Sequence, residues 1–216
     1  MIKICGIQDV GLARFAASKG AGAIGFMLAP SRRRIAPESI ASILMDLPPE
    51  RPLAVGVVVN ESPLAIDEIV RVSGIDIVQL SGDESPDMVE QLDHTVWKAI
   101  RFPAGTTIDE ASQVLDSWLA SSRPIEAVMI DAAVPGRYGG TGHTADWELV
   151  ARLAETYPVI LAGGLTPANV GGAIASVRPA GVDVSSGVEV DGSKDPPRIE
   201  AFIDESRAAF GRLQPG

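Results

Sequence analysis

Cysteine and histidine are scarce in this chain, and their scarcity excludes several kinds of site. Cys5 is the only cysteine among 216 residues, so no internal disulfide can form and no thiolate cluster can hold zinc. The histidines are His94, just before a predicted strand, and His143, in a glycine-rich stretch. We expect both to be structural or exposed to solvent rather than catalytic. The sequence therefore predicts no metal site.

Long apolar segments and an excess of positive charge are also missing. No apolar run approaches the roughly 18 residues that would cross a bilayer, and no signal peptide precedes the first apolar run. The formal net charge is -10, which argues against a broad basic face for nucleic acid. We therefore expect a cytoplasmic protein with neither a nucleic-acid nor a membrane partner.

Short apolar runs alternate with amphipathic stretches from one end of the chain to the other. The runs are nearly continuous, as expected for strands buried on both faces of a parallel sheet. The predicted strands are Ile2–Cys5, Ala23–Leu28, Leu53–Val59, Ile75–Leu80, Val96–Arg101, Ala127–Asp131, Val159–Ala162 and Val182–Ser185. Eight such units without a Gly-x-Gly-x-x-Gly fingerprint favour a closed (β/α)8 barrel over an open doubly wound sheet. We predict a single-domain α/β TIM barrel over residues 1–216, with 211–216 as a flexible tail.

Local start signals mark most of the intervening helices. Asp9 precedes one helical pattern, and Pro37 and Pro63 begin two others, where a missing N–H costs little. Thr166 followed by Pro167 predicts the start of a further helix. The stretches SPDMVEQL and DEASQVLDSW have weaker patterns, and we expect degenerate helices there.

Two glycine-containing segments lie where the last two predicted strands end. The active site of such a barrel lies at the carboxyl ends of its strands. Gly163-Gly164 follows strand 7 and Ser185-Ser186-Gly187 follows strand 8, a place where barrels often hold a phosphate on backbone N–H groups. The helix expected from Thr166 would add its positive end. Tight turns alone would also explain the glycines, but for both segments together we favour a phosphate site.

Other strand ends carry side chains that are capable of chemistry. The arginine run 32–34 is either a solvated face or a site for a second anionic group, because guanidinium binds carboxylates bidentately. Cys5 is either an inert packed residue or a base or nucleophile. Asp131 ends an apolar strand, where an acid is costly unless it is hydrogen-bonded or functional. For Asp183, flanked by valines, a supporting role at the site and a structural role both stay open.

A set of motifs from the first strand to the last helix resembles the phosphoribosylanthranilate isomerase family of tryptophan biosynthesis. The motifs are KICG, GFMLAPSRRRIAPE, VGVVVN, VQLSG, IDA…YGGTGHTADW, LAGGLTPANV and GVDVSSGVE…GSKD. The resemblance implies a (β/α)8 barrel that carries out an Amadori rearrangement of N-(5-phosphoribosyl)anthranilate to 1-(2-carboxyphenylamino)-1-deoxyribulose 5-phosphate. This small phosphosugar–anthranilate substrate is the expected partner. The reaction moves no hydride, so we expect neither a cofactor nor a metal. We expect the protein to be a monomer or a homodimer.

The resemblance also implies roles for individual residues. Cys5 falls on the general base, Asp131 on the general acid and Arg33 on the arginine that meets the anthranilate carboxylate. Gln79 and Asp183 are the further substrate-binding candidates. The implied phosphate-binding residues are Gly163, Gly164, Ser185, Ser186 and Gly187. For this chemistry near neutral pH, the pKa of the Cys5 thiol should be lowered and the pKa of Asp131 raised.

Two positions depart from the family pattern, and two other functions stay open. Ser81 stands where the family commonly has histidine, and His143 stands where many members have lysine.

The related sugar isomerase of histidine biosynthesis uses aspartate at the position of Cys5 and needs a second phosphate site. A non-catalytic phosphosugar-binding barrel, with Cys5 merely packed, is the alternative from another class.

Overall fold

Eight strands follow one another around a closed ring in the order of the chain. The computed structural model describes residues 1–120, 123, 125–132 and 147–213. The barrel strands are β1 Ile2–Cys5, β2 Ala23–Met27, β3 Leu53–Val58, β4 Ile77–Leu80, β5 Thr95–Ile100, β6 Ala127–Asp131, β7 Val159–Ala162 and β8 Gly181–Val184. Each pairs in parallel with the next, and β8 pairs with β1, with Lys3 opposite Asp183. The predicted (β/α)8 barrel is confirmed, and every strand boundary lies within two residues of its prediction.

Two apolar layers explain why the strand sequences are continuous rather than alternating. One layer fills the barrel and the other packs the outside of the strands against the helices, so both faces of each strand are buried. The interior layer includes Val55, Ile77, Trp97, Met129 and Ile160. Nearer the carboxyl ends of the strands, polar side chains replace these apolar ones and line a cavity.

Helices surround the barrel, and three of the four helix starts predicted from local signals are confirmed. They are α1 Val10–Ser18, α2 Pro37–Met45, α3 Pro63–Ser73, α4 Ile108–Leu119, α5 Trp147–Ala154, α6 Val170–Val177 and α7 Pro196–Leu213. The Asp9 side chain accepts a hydrogen bond from the N–H of Leu12 at 2.8 Å and caps α1. Pro37 and Pro63 occupy the first turns of α2 and α3. None of the described helices combines the length and the apolar character needed to cross a membrane.

Three helix predictions need correction. DEASQVLDSW belongs to the full-length helix α4, because Thr107 and Glu110 form a reciprocal capping box at its start. Helix α6 begins at Val170 rather than at Thr166, because residues 167–169 form a tight turn in which the N–H of Thr166 donates to Asn169 Oδ1. Residues 211–213 continue α7 instead of fraying, since Leu213 packs against the core. Residues 214–216 of the predicted tail lie outside the described residues.

The other weak helix prediction is correct. Pro86–Gln91 forms only a 3-10 helix between β4 and β5. A second 3-10 helix, Ser186–Val188, follows β8 and leads into a small hairpin of β9 Glu189–Val190 and β10 Ser193–Lys194. This hairpin stands at the rim of the barrel and contributes charged side chains to the candidate site.

Candidate active site

The carboxyl ends of the strands surround a cavity of about 780 Å³. Such a position is where barrels of this kind keep their active sites. All the site residues proposed from the sequence line this one cavity: Cys5, Arg33, Gln79, Asp131, Gly163, Gly164, Asp183, Ser185, Ser186 and Gly187. The fold therefore brings the candidates together, while their individual roles remain predictions.

Cys5 is the last residue of β1 and is 5% exposed. Burial raises the pKa of its thiol above the ordinary value and Asp183 adds to this, whereas Lys3 and Lys194 oppose the rise. The proposed chemistry calls for a lowered pKa of this thiol, and the structure has the opposite direction. The reason is that the thiolate loses more hydration at a buried position than the two lysines offset.

Lys3 is fully buried inside the barrel, two residues before Cys5. Its Nζ donates a hydrogen bond of 2.7 Å to Asp183 Oδ1 across the seam where β8 meets β1. Burial alone would lower the pKa of Lys3, but the neighbouring Asp183 and Cys5 raise it above the ordinary value. The Lys3 side chain is therefore a cation held in an apolar interior by one carboxylate.

Asp131 ends β6 at the rim of the cavity, with its side chain 32% exposed. Its Oδ2 accepts a hydrogen bond of 2.7 Å from Arg101 Nε, so the acid at this strand end is hydrogen-bonded. Gly163 packs against it with φ of 93°, and a Cβ at Gly163 would lie 2.3 Å from Asp131 Oδ1. Only glycine leaves space for the carboxylate at this point.

The Arg33 side chain lies over Gly6, which is the residue after Cys5. The hairpin β9–β10 holds this side chain in place. A Cβ at Gly6 would lie 2.6 Å from Arg33 Cδ. Arg33 Nε and Nη2 donate to the two carboxylate oxygens of Glu189 at 2.6 and 2.9 Å. The arginine is thus oriented by a bidentate ion pair, and among the described residues no partner binds its Nη1 group.

Glu189 lies at the centre of three cations. The sequence analysis did not identify this carboxylate or the ion pairs that it forms. Its carboxylate, 5% exposed, pairs with Arg33, Arg32 and Lys194, the last at 2.9 Å. Burial alone would raise the pKa of Glu189, but the hydrogen bonds from Arg33 and Lys194 lower it to about 2. Lys194 also donates to the Ser185 carbonyl at 2.8 Å. The cluster places positive charge beside the loop after β8.

The loops after β7 and β8 offer backbone donors to the cavity. Among the described residues, no group accepts from the N–H groups of Gly164, Ser186 or Gly187. The N–H of Thr166 donates to Asn169 Oδ1 at 2.7 Å, so it is not free to bind an anion. An anion here would therefore meet the N–H groups of the two loops, with the positive charge of Lys194 nearby.

The opposite wall of the cavity is built by β4 and β5. Gln79 is buried in β4 and its Nε2 donates to Ser81 Oγ at 3.0 Å, so Ser81 takes part in the site as a hydroxyl partner. Within the described part of the chain, Gln79 Oε1 has no hydrogen-bond partner. Lys98, also buried, donates to Glu84 and to the Gly82 carbonyl at 2.7 Å each.

Lys3, Lys98, Lys194, Glu84 and Glu189 are functional candidates that the sequence analysis did not single out. Lysine within an apolar strand, as at Lys3 and Lys98, is a usable signal, because a buried ammonium is costly unless paired. His94 lies away from this cavity and pairs with Asp67 at 2.8 Å. His143 and residues 135–142 lie outside the described residues.

Comparison with known proteins agrees with the geometry. The family model of N-(5'-phosphoribosyl)anthranilate (PRA) isomerase matches residues 2–205. An N-(5'-phosphoribosyl)anthranilate isomerase of Desulforudis audaxviator is 46% identical over 210 residues, covering 97% of this chain and 99% of the relative. One of Moorella thermoacetica is also 46% identical, covering 96% of this chain and 90% of the relative.

Solved structures give the same answer at the level of the fold. The phosphoribosyl anthranilate isomerase of Thermotoga maritima superposes with a TM-score of 0.81 at 35% identity, covering 96% of this chain and 98% of that one. A phosphoribosyl anthranilate isomerase in complex with reduced 1-(o-carboxyphenylamino)-1-deoxyribulose 5-phosphate gives 0.80 at 32% identity, with the same coverage. Sequence motifs, barrel and relatives agree, and the chain belongs to the N-(5'-phosphoribosyl)anthranilate isomerase family of tryptophan biosynthesis.

Proposed function

We propose that Cys5 is the general base and Asp131 the general acid of this isomerisation. The observation that carries the proposal is that the only cysteine of the chain and the carboxylate ending β6 line the same cavity. Between their strands lie the loops after β7 and β8, whose N–H groups at Gly164, Ser186 and Gly187 have no acceptor among the described residues and can bind a phosphate. A sugar fixed by its phosphate there would have its ring between a thiol and a carboxyl group.

The reaction then needs two proton transfers. Protonated Asp131 donates to the ring oxygen of the ribose, the ring C–O bond breaks, and a protonated imine forms because the nitrogen keeps its hydrogen. The Cys5 thiolate next takes the proton from C2, giving an enolamine that tautomerises to the ketose. Arg101 binds Asp131 Oδ2, whereas Oδ1, which packs against Gly163, accepts no hydrogen bond from the described residues, so we assign the proton to Oδ1.

Arg33 meets the second anionic end of the substrate in this proposal. The solved relative bound to reduced 1-(o-carboxyphenylamino)-1-deoxyribulose 5-phosphate supports a ligand with a phosphate at one end and a benzoate at the other. Glu189 occupies Arg33 Nε and Nη2, so the Nη1 group is the donor that faces the carboxylate. Gln79 and Asp183 complete the substrate-binding residues proposed from the sequence.

Replacing each proposed catalytic group tests the assignment. Cys5→Ala and Asp131→Asn should each lower kcat by about 100-fold or more, because each removes a proton-transfer group. Substrate binding should change little. Loss of anthranilate fluorescence measures turnover, and the melting temperature together with binding of the reduced product analogue shows that the site is intact.

The control for these variants is Asp76→Asn. Asp76 pairs with Arg51 just before β4, at the opposite end of the barrel, so its loss should lower stability but not kcat. Near-normal turnover in Cys5→Ala would remove Cys5 from the base role. A wild-type protein that binds the analogue tightly but turns nothing over would instead favour the non-catalytic barrel.

Location and assembly belong to the same proposal. We place the protein in the cytoplasm, which its free cysteine and its place in amino-acid biosynthesis support. A relative from Thermotoga maritima is described as dimeric and has been converted to monomers, so a homodimer is one of the two assemblies expected for this chain. Sedimentation equilibrium distinguishes it from a monomer.

A further inference from the structure

Lys3 and Cys5 share a face of β1 and a common space inside the barrel. Residues two apart on a strand point to the same side, and here that side is the barrel interior. Gly25 stands opposite Cys5 on β2. A Cβ at Gly25 would lie 2.8 Å from Cys5 Sγ and 3.1 Å from Lys3 Cε. The sulfur and the end of the Lys3 chain therefore occupy the volume that the missing side chain leaves.

The Lys3 ammonium is fixed in this place. Its side chain is 0% exposed, and Asp183, its partner in the β1–β8 ladder, accepts its hydrogen bond at 2.7 Å. The Lys3 ammonium has no contact with water of its own, so its charge is screened little, and Asp183, 11% exposed, is the member of the pair that reaches the cavity. A cation so placed acts on any charge that forms on the neighbouring sulfur.

We infer that Lys3 is a positioning residue of the reaction, whose buried ammonium, anchored by Asp183, stabilises the Cys5 sulfur as the thiolate that accepts the substrate proton. The inference rests on the proposed role of Cys5 as base. Burial lowers the pKa of Lys3, but Asp183 and Cys5 outweigh it and hold that pKa above the ordinary value, which favours the ammonium form. Lys3 neither gives nor takes the proton that moves between C2 and sulfur.

Three other charged groups act on the same sulfur and must be separated from Lys3. Asp183, on β8, raises the pKa of the thiol, while Lys194, on β10, lowers it. Arg33, from the loop after β2, also interacts with Cys5. Lys194 and Arg33 both form ion pairs with Glu189. Lys3, by contrast, lies on the same strand as Cys5. Its influence is also the largest of those that oppose burial.

The titration of Cys5 in the substrate-free protein tests the inference. The chain has one cysteine and two tyrosines, and ionised tyrosine absorbs in the same ultraviolet range as thiolate. The pH-dependent difference between each protein and its Cys5→Ala counterpart therefore reports this residue alone. Lys3→Met should raise the midpoint by about one pH unit or more, and Asp183→Asn should lower it. General loosening of the barrel would hydrate the sulfur and lower the midpoint in both variants, so opposite signs identify electrostatics. An unchanged or lower midpoint in Lys3→Met overturns the inference.

Two further variants keep the test decisive. Lys98→Met removes another buried lysine, one paired with Glu84 on the β4–β5 side, and should leave the thiol midpoint unchanged. If Lys3→Met fails to fold because Asp183 is left unpaired, the double variant Lys3→Met/Asp183→Asn removes both charges. Its midpoint should still lie above that of the wild type, and a value at or below it contradicts the inference.

Activity separates this inference from the proposed function. In Lys3→Met, the acidic limb of the pH profile of kcat/KM should shift to higher pH by as much as the thiol midpoint does. If Cys5→Ala keeps its turnover, the base assignment fails while the effect of Lys3 on the thiol is still measured. If Cys5→Ala is inactive and Lys3→Met shows no shift in midpoint, the function stands and the inference about Lys3 falls.

Discussion

At the scale of single residues, the absence of a side chain at Gly25 is as important to the site as the groups around it. Gly25 lies in the middle of β2, where glycine normally weakens a strand. Here its missing Cβ leaves room for both Cys5 Sγ and Lys3 Cε. The position of the sulfur therefore depends on the residue across the ladder as well as on β1.

We predict that Gly25→Ala lowers both stability and turnover. The added methyl group would overlap the sulfur and the Cys5 backbone at 3.1 Å, which should cost about 1–3 kcal/mol in the free energy of unfolding. Because the sulfur must shift, kcat should fall by about tenfold or more. Chemical denaturation and the fluorescence assay measure the two effects.

Gly172→Ala is the matched control for that substitution. Gly172 lies in α6, and a Cβ there would have nothing within 4 Å. Alanine should raise the free energy of unfolding by about 0.5–1 kcal/mol and leave kcat unchanged. A Gly25→Ala protein with wild-type kcat would show that the sulfur position is not set by this contact.

Residue types and strand ends indicated Cys5, Asp131 and the glycine segments, and the family resemblance added Gln79 and the choice of Arg33. Neither indicated the charge partners of these residues. Lys3 and Asp183 are 180 residues apart in the sequence, and Arg33 and Glu189 are 156 apart. Nothing local indicates such a pairing; only the closure of the ring brings the members together. For the same reason the direction of the Cys5 pKa could not be predicted, since it depends on burial against charges from β1, β8 and β10.

At the scale of elements, the hairpin β9–β10 links the loop after β2 to the loop after β8. Lys194 stands opposite Glu189 in its antiparallel ladder. The carboxylate of Glu189 holds Arg33, while the ammonium of Lys194 binds the Ser185 carbonyl. Two strands of two residues each thus orient the proposed carboxylate-binding arginine and support the proposed phosphate loop.

We predict that Glu189→Gln raises KM by about tenfold and changes kcat less. The amide keeps the size of the side chain but loses the charge that fixes Arg33. The substrate and the transition state should then be bound more weakly to the same extent, which raises KM and leaves kcat little changed. Steady-state kinetics give both constants. Glu200→Gln, which removes a partly exposed partner of Lys19, should leave them unchanged.

A double-mutant cycle shows whether Glu189 works through Arg33. Arg33→Ala alone should also raise KM, and adding Glu189→Gln to it should raise KM little further, because residues in one network are not additive. If the two increases in KM multiply, Glu189 acts on the substrate by another route.

Element boundaries were predictable where a local signal decides them. The apolar strand runs and the first-turn prolines of α2 and α3 place their elements to within two residues. Helix α4 was underestimated although its capping box, Thr107 with Glu110, can be read in the sequence. The start of α6 was not predictable from the Thr-Pro signal, because the Asn169 side chain competes for the N–H of Thr166.

At the scale of the whole molecule, the chain carries a net charge of -10 but must bind a ligand with two anionic ends. Cations at the mouth resolve this conflict locally: Arg32, Arg33 and Lys194 converge on one buried carboxylate. Without Glu189 these cations would repel one another, and without the cations a buried carboxylate would be costly. The same cluster that prepares the site therefore also stabilises the fold.

That double role predicts how stability depends on pH. The pKa of Glu189 in the folded protein is about 2, below the ordinary value of 4.5. A carboxyl group with a depressed folded pKa contributes stability above its unfolded pKa and loses that contribution as the pH falls toward the folded value. Wild-type protein should therefore be more stable than Glu189→Gln near neutral pH, and the difference should shrink between about pH 4.5 and pH 2.

Urea denaturation of the two proteins at a series of pH values measures that difference directly. Other carboxyl groups titrate in both proteins and cancel in the comparison, which isolates Glu189. Glu200→Gln, at the partly exposed pair with Lys19, should show a small difference from wild type over the same range. If the difference in the free energy of unfolding between wild type and Glu189→Gln is constant with pH, the carboxylate gains no stability from its three cations. The ion-pair cluster would then not be what holds the hairpin to the barrel.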